Sequence, residues 1–295
     1  LGQKAENDEK EGAMNSDIAE RIEADAVIFA DQHRDSATSL QEIKTASADT
    51  VLSLMASVDP RVAGTTLNLV NSGYFGLPRS AKSIPHAHEL MGGERLARVT
   101  LTAWAFDLLS DPLSGYDLPA GDLWRHALGV AIAAEHLSES LPADLAEPVF
   151  TAGIFHDVGK RVMGSYLADA SERIESKAGE DLSFEAAEAV VLGIDHAALS
   201  GRILAAWRFP GEVIEAVRWS HAPDRAAPPS ILADLLHVSD VLCLTIGIGT
   251  GREGLKYKAS PAATKRLNAT TGTLELVASH TLQWTNELAD LPGSP

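Results

Sequence analysis

Cysteine is almost missing from this chain: Cys243 is the single thiol in 295 residues. One thiol excludes an intrachain disulfide and any zinc site built from several cysteines, and it fits a reducing, cytoplasmic setting. Long apolar runs are missing too. The best candidate, Ile231 to Gly249, is interrupted by Asp234, His237 and Asp240, so no membrane-spanning helix is expected. Positive charge is scarce, with 24 Lys and Arg against 41 Asp and Glu and a net charge of −17. Sequence-independent binding to phosphate backbones draws most of its affinity from Lys and Arg that displace counterions, so nucleic acid is not expected as a partner. The densest basic stretch, Arg252 to Arg266, contains Glu253 and is broken by Pro261, and it reads as a solvated loop. No basic and apolar secretory pattern opens the chain. Residues 1–31 instead carry nine acidic and three basic side chains, and their first half reads as flexible.

Enough apolar residues are present, 45%, to bury a large core in two lobes. They recur mostly at helical spacing and sustained two-residue alternation is hard to find, so the expected fold class is all-α. Asp59-Pro60 is a helix start, Asp as N-cap and Pro at the first helical position. Ser83 caps a short helix ending near Gly92-Gly93, and a longer one follows over roughly 94–109. The Ser-, Pro-, Gly- and Asp-rich stretch Ser110 to Gly121 is the expected boundary between lobes. Beyond it helices are predicted near 122–139, 143–156, 183–193, 195–207, 211–220, 228–246 and 272–289. The expected organisation is an acidic segment 1–30, an N-terminal helical lobe 31–112, a second lobe 113–250 and a C-terminal segment 251–295.

The chemistry concentrates on His156-Asp157, set in Phe150-Thr-Ala-Gly-Ile-Phe-His-Asp-Val-Gly-Lys160. A charged carboxylate in apolar surroundings is costly unless it meets a metal or a hydrogen-bonded partner. His126 shares an apolar helical face with Val130 and Ala133, and His196 shares one with Leu199, Ile203 and Trp207. His221 sits near a helix C-terminus, and Asp240 lies three residues after His237 on an apolar helix. His126, His156, Asp157, His196, His221 and Asp240 therefore offer four imidazoles and two carboxylates. A thiolate-free N/O set suits Fe, Mn, Zn, Ni or Co, one ion or two if a carboxylate bridges. A lone histidine on an apolar face, His126 included, reads more readily as a satisfied core residue than as a ligand, the His156-Asp157 pair reads equally as either, and His237 reads as a packing or supporting group. The run Gly249-Thr-Gly-Arg-Glu-Gly254 matches a dinucleotide pattern literally, but a helix rather than a strand precedes it, so it reads as a helix stop and loop.

Several of these segments together resemble the HDOD family of bacterial signalling proteins: Asp59-Pro60, Asn71-Ser-Gly-Tyr-Phe-Gly-Leu-Pro78, Ser83-Ile84, Trp124-Arg-His126, Phe150 to Lys160, Gly193-Ile-Asp-His196 and Trp207-Arg-Phe-Pro210. The resemblance spans roughly residues 35–245. It implies an N-terminal helical lobe packed on a lobe related to HD-type metal-dependent phosphohydrolases, with His126, the His156-Asp157 pair, His196, His221 and Asp240 at the metal-ligand positions. Lys160 falls where the related HD-GYP phosphodiesterases place a phosphate-contacting lysine. The Gly-Tyr-Pro signature of those enzymes is not matched, because Ser220-His221-Ala-Pro stands in its neighbourhood.

Two functions follow as expectations. The first is a cytoplasmic signalling module that binds a partner protein or small ligand, with one or two divalent transition metals in a structural, sensory or vestigial site. The second is a metal-dependent phosphohydrolase acting on a nucleotide or other phosphoester, with Asp157 and Lys160 in catalytic roles.

Overall fold

The computed structural model describes residues 2–56, 58–141, 145–178, 182–252, 254 and 258–289. Among these residues there is no strand, only an isolated bridge between Leu113 and Leu118. The chain is a stack of helices: α1 (Gly2–Glu42), α2 (Ala48–Ala56), α3 (Pro60–Val70), α4 (Ile84–Leu109), α5 (Asp122–Ser138), α6 (Ala146–Phe155), α7 (Lys160–Ala178), α8 (Phe184–Leu192), α9 (His196–Ala206), α10 (Gly211–Arg218), α11 (Ile231–Thr245), α12 (Pro261–Arg266) and α13 (Thr271–Ala289). No single helix among the described residues is long and apolar enough to cross a membrane.

The expected caps do their work. The Asp59 side chain accepts from Arg61 N at 2.8 Å, and Ser83 Oγ accepts from His86 N at 3.3 Å. The two helices expected on either side of Gly92-Gly93 form one element broken at Gly92, whose φ of 81° and ψ of 166° leave the helical region. The acidic segment expected to be partly flexible falls within α1, and its buried Ile22, Ala26 and Ala30 belong to the core. Helices α2, α7 and α12 were not among the predicted elements. In α7 the mixed polar and charged sequence masks a buried stripe of Val162, Met163, Leu167, Ala170 and Ile174. Residues 142–144, where the helix expected near 143–156 would start, lie outside the described residues, as do Glu253 and 255–257 of the basic stretch.

Two packing relations position the site. Helix α5 is central, lying against α6, α11 and α13 with Leu128, Val130, Ala131 and Ile132 fully buried. Helix α1 runs across α4, α7, α8 and α9, pinned where Trp207 Nε1–H donates to Ala30 O at 3.0 Å. The stretch Ser110 to Gly121 makes a tight bend with a 3₁₀ turn at Ser114–Tyr116, which lies against α7.

Candidate metal centre

Four helices and two turns bring the six predicted side chains together. His126 comes from the first turns of α5, and His156 is the residue that ends α6. Asp157 follows in the turn before α7, His196 opens α9, His221 follows α10, and Asp240 lies in α11. The turn after His156 is pressed against α9: Gly159 N–H donates to Ser200 Oγ at 2.8 Å, and a Cβ at Gly159 would stand 2.4 Å from His196 O. Only glycine allows that approach. Helix α9 starts where Asp195 accepts from Ala198 N at 2.7 Å, and this cap sets the direction in which His196 points.

The donor atoms form two trios. Ligand atoms of His126, His156 and Asp240 lie within 4.8 Å of one another, as do those of Asp157, His196 and His221. Asp157 stands between them. Its Oδ2 is 3.3 Å from His156 Nε2 and 3.7 Å from His126 Nε2, while its Oδ1 is 3.4 Å from His196 Nε2. Asp240 Oδ1 lies 3.1 Å from His126 Nε2 and its Oδ2 lies 3.3 Å from His221 Nδ1. His196 Nε2 and His221 Nε2 are 2.8 Å apart.

These residues fit a metal. His156 Nε2, Asp157 Oδ1 and Asp240 Oδ2 are buried and make no hydrogen bond among the described residues, although ring nitrogens or carboxylate oxygens lie within 3.4 Å of each. Lone-pair atoms crowded about shared centres without hydrogen-bond geometry are what a coordinated cation requires. The opposite faces of the rings are fixed. His126 Nδ1–H donates to Ile248 O at 3.0 Å and His156 Nδ1–H to Gly153 O at 2.8 Å, which leaves each Nε2 lone pair turned inward.

His196 is fixed by a carboxylate that the sequence reading missed. Its Nδ1–H donates to Glu188 Oε2 at 2.6 Å and its backbone N–H to the same oxygen at 3.1 Å. Tyr116 O–H donates to Glu188 Oε1 at 2.7 Å. The available signal was Glu188 itself, which shares the buried face of α8 with Phe184, Ala187, Val191 and Leu192, a position where a carboxylate needs a partner. Glu188→Gln is expected to weaken metal binding about 10- to 100-fold at the trio containing His196, with the His126 trio little changed. A metal titration that leaves both affinities unchanged would remove Glu188 from this role.

Charge at the centre is tightly balanced. Burial alone would push the Asp157 carboxyl up, but His156, Lys160 and His196 hold it well below its usual range. Asp240 is likewise held low against burial by His126 and His221. Burial disfavours charged imidazoles, yet Asp240 raises His126 and pushes His221 up to about 10, and Glu188 raises His196. Lys160 Nζ stands 2.7 Å from Asp157 Oδ2 and 5.3 Å from the Tyr116 ring centre.

His237 stands outside the cluster. Its Nδ1–H donates to Ser220 O at 2.8 Å and its Nε2 accepts from Ser260 N at 2.9 Å, so its nitrogens tie the backbone just before His221 to the start of α12. The Gly249 to Gly254 run is indeed preceded by a helix. At Gly249, φ is 71° and a Cβ would lie 2.5 Å from His126 Cβ, so the glycine lets the chain close over the site.

The fold is all-α and gathers four histidines and two aspartates into a cluster that could hold a metal ion. The match to the HDOD domain model over residues 35–223 covers most of the chain, and the chain belongs to the HDOD family. Among solved structures, the fold is shared with an HDOD domain protein of unknown function from Geobacter sulfurreducens, at 18% identity and TM-score 0.70 over 93% of this chain and 99% of that one. It is shared with a provisionally named phosphohydrolase from Shewanella amazonensis SB2B, at 18% identity and TM-score 0.66 over 90% and 96%. A provisionally named signal transduction protein from Marinobacter aquaeolei VT8 is similar at 19% identity and TM-score 0.63, over 85% of this chain and 57% of that one. No curated protein matches the sequence.

Proposed function

We propose that this protein is a cytoplasmic HDOD signalling module that acts through a protein partner and keeps one or two divalent transition metals in a closed site. The observation that carries this reading is burial. His156 and His196 are 0% exposed, Asp157 and Asp240 1%, and His126 2%, while the His221 side chain is 3% exposed. A structural metal site is closed by its ligands, whereas a catalytic one keeps a position open to substrate. Here the segment after α11 closes over α5 through Ile248 and Gly249, and Lys160 is turned onto Asp157. A strongly acidic chain suits a basic protein surface better than a polyanion.

One observation favours the second reading, a phosphohydrolase. Asp157 faces both trios, the arrangement two ions would share, and Lys160 sits beside it. A metal held there would supply Lewis acidity toward a phosphoester oxygen, and Lys160 would steady the developing charge after leaving Asp157. The experiment is a phosphoester screen of protein loaded in turn with Fe, Mn, Zn, Ni and Co, using 4-nitrophenyl phosphate, bis(4-nitrophenyl) phosphate and cyclic dinucleotides. No turnover above the uncatalysed rate is expected. Turnover that disappears in a folded His156→Ala variant would replace the signalling reading with the enzymatic one.

A further inference from the structure

No side chain of the two trios is more than 3% exposed, so an ion reaches them only after some covering element moves. Most of the cover is locked in place. Helices α5, α6 and α11 pack on one another and α9 packs on α10. The turn after His156 is wedged beneath α9 at Gly159, and the backbone before His221 is tied through His237 to the start of α12. Residues 247–252, which follow α11 and carry most of the Gly249 run, lie outside any helix.

This strap is linked to both trios. On one side Ile248 O accepts from His126 Nδ1–H at 3.0 Å, and the buried Ile248 side chain stands against Gly129 of α5. On the other side Arg252 N–H donates to Tyr116 O at 2.9 Å. The Tyr116 hydroxyl in turn holds Glu188, and its ring stands edge-on to His196 with the ring centres 6.1 Å apart. Gly251 permits the approach: its φ is 32°, and a Cβ there would lie 2.6 Å from Tyr116 O. The Arg252 guanidinium meets Glu175 on α7 in an ion pair whose side chains are 30% and 50% exposed. A pair that exposed contributes little. The strap is therefore fastened by a short set of bonds near solvent, the construction of segments that open locally while the rest of a fold stays intact.

We propose that residues 247–252 are the gate of the metal centre, closed on His126 and Tyr116 while an ion is held and lifted when one enters or leaves. The gate rests on the metal-binding reading and adds to it how the site exchanges its ion. In the metal-free chain a closed gate keeps His156 Nε2, Asp157 Oδ1 and Asp240 Oδ2 buried without hydrogen bonds, a cost that water relieves once the gate lifts. A bound cation removes that cost and so favours closure. By linkage, closure raises metal affinity by the same factor.

The test uses the full chain loaded in turn with Fe, Mn, Zn, Ni and Co, and carries forward the ion it retains best by elemental analysis. Amide hydrogen exchange across residues 248–252 is expected to slow at least about tenfold on loading, and by more than in α3, which packs on α2 and α4. Transfer of the ion to excess EDTA then reports the gate directly. Gly251→Ala, which forces the strap off Tyr116 O, is expected to speed that transfer at least about tenfold. Arg252→Gln is expected to speed it about two- to fivefold, and Arg252→Lys to restore the parent rate. A chain that retains none of the five metals overturns the metal reading and the gate with it. Metal retained without slower exchange in the strap, or released from folded Gly251→Ala at the parent rate, overturns the gate alone. If Gly251→Ala does not fold, exchange in the parent and the Arg252→Gln release rate decide the matter.

Discussion

Asp157→Asn is expected to leave the chain with no transition metal, whichever ion the parent carries. The reason is geometric: one carboxylate presents Oδ2 to His126 and His156 and Oδ1 to His196, so it serves both trios. His126→Ala, by contrast, is expected to keep whatever Asp157, His196 and His221 hold. Elemental analysis of untagged protein separates the outcomes, and metal retained by the Asp157→Asn chain would sink the shared-carboxylate geometry. Stability provides an independent check. Asp157→Ala removes the carboxylate 2.7 Å from the buried Lys160 ammonium and is expected to cost about 3–5 kcal/mol, part of which Lys160→Met in the same chain restores. Denaturant unfolding of the two metal-free variants measures that recovery.

The second large effect is a reversal of pH dependence on metal removal. In the cluster Asp157, Asp240 and Glu188 carry three negative charges against the single positive charge of Lys160, and all four residues are buried. Protons balance the remainder when no metal is bound, which is why His126, His196 and His221 are more basic in the folded chain than a free imidazole. A raised folded-state pKa gives stability that is fully present below about 6.5, the unfolded value, and is lost as pH rises through the folded value. His221 sets the upper limit of that window at about 10. The depressed carboxyls act in the other direction, giving stability above about 4 that is lost in acid. Metal-free protein should therefore lose on the order of a few kcal/mol between pH 6.5 and pH 9.5. Metal-loaded protein should gain relative to it over the same range, because metal and protons compete for the same nitrogens. Thermal melts of both forms at the two pH values test this, and metal-free protein equally stable at both would refute the charge balance.

Local rules made much of this protein readable in advance. Helical spacing of apolar residues, the caps at Asp59 and Ser83 and the break at Gly92 act over three or four residues, and each appears in the structure where the chain announces it. The six donor residues were recognisable for the same reason, since a histidine or aspartate on an apolar helical face is out of place unless something pairs with it. Helix α7 escaped because its buried stripe is diluted by charges. Glu188 escaped because it sits eight residues from His196 and means little until α8 turns back on α9.

By itself, then, the sequence determined the all-helical class, the family and the inventory of nitrogen and oxygen donors. Tertiary structure alone decided that Asp157 lies between two trios, that Glu188 and Tyr116 support His196, that the segment after α11 closes over His126, and that Arg252 joins that segment to Tyr116 and Glu175. The division has a physical cause. Propensity, capping and periodicity are energies of neighbouring residues, whereas a cluster of candidate ligand atoms drawn from residues 126 to 240 exists only after distant helices have packed.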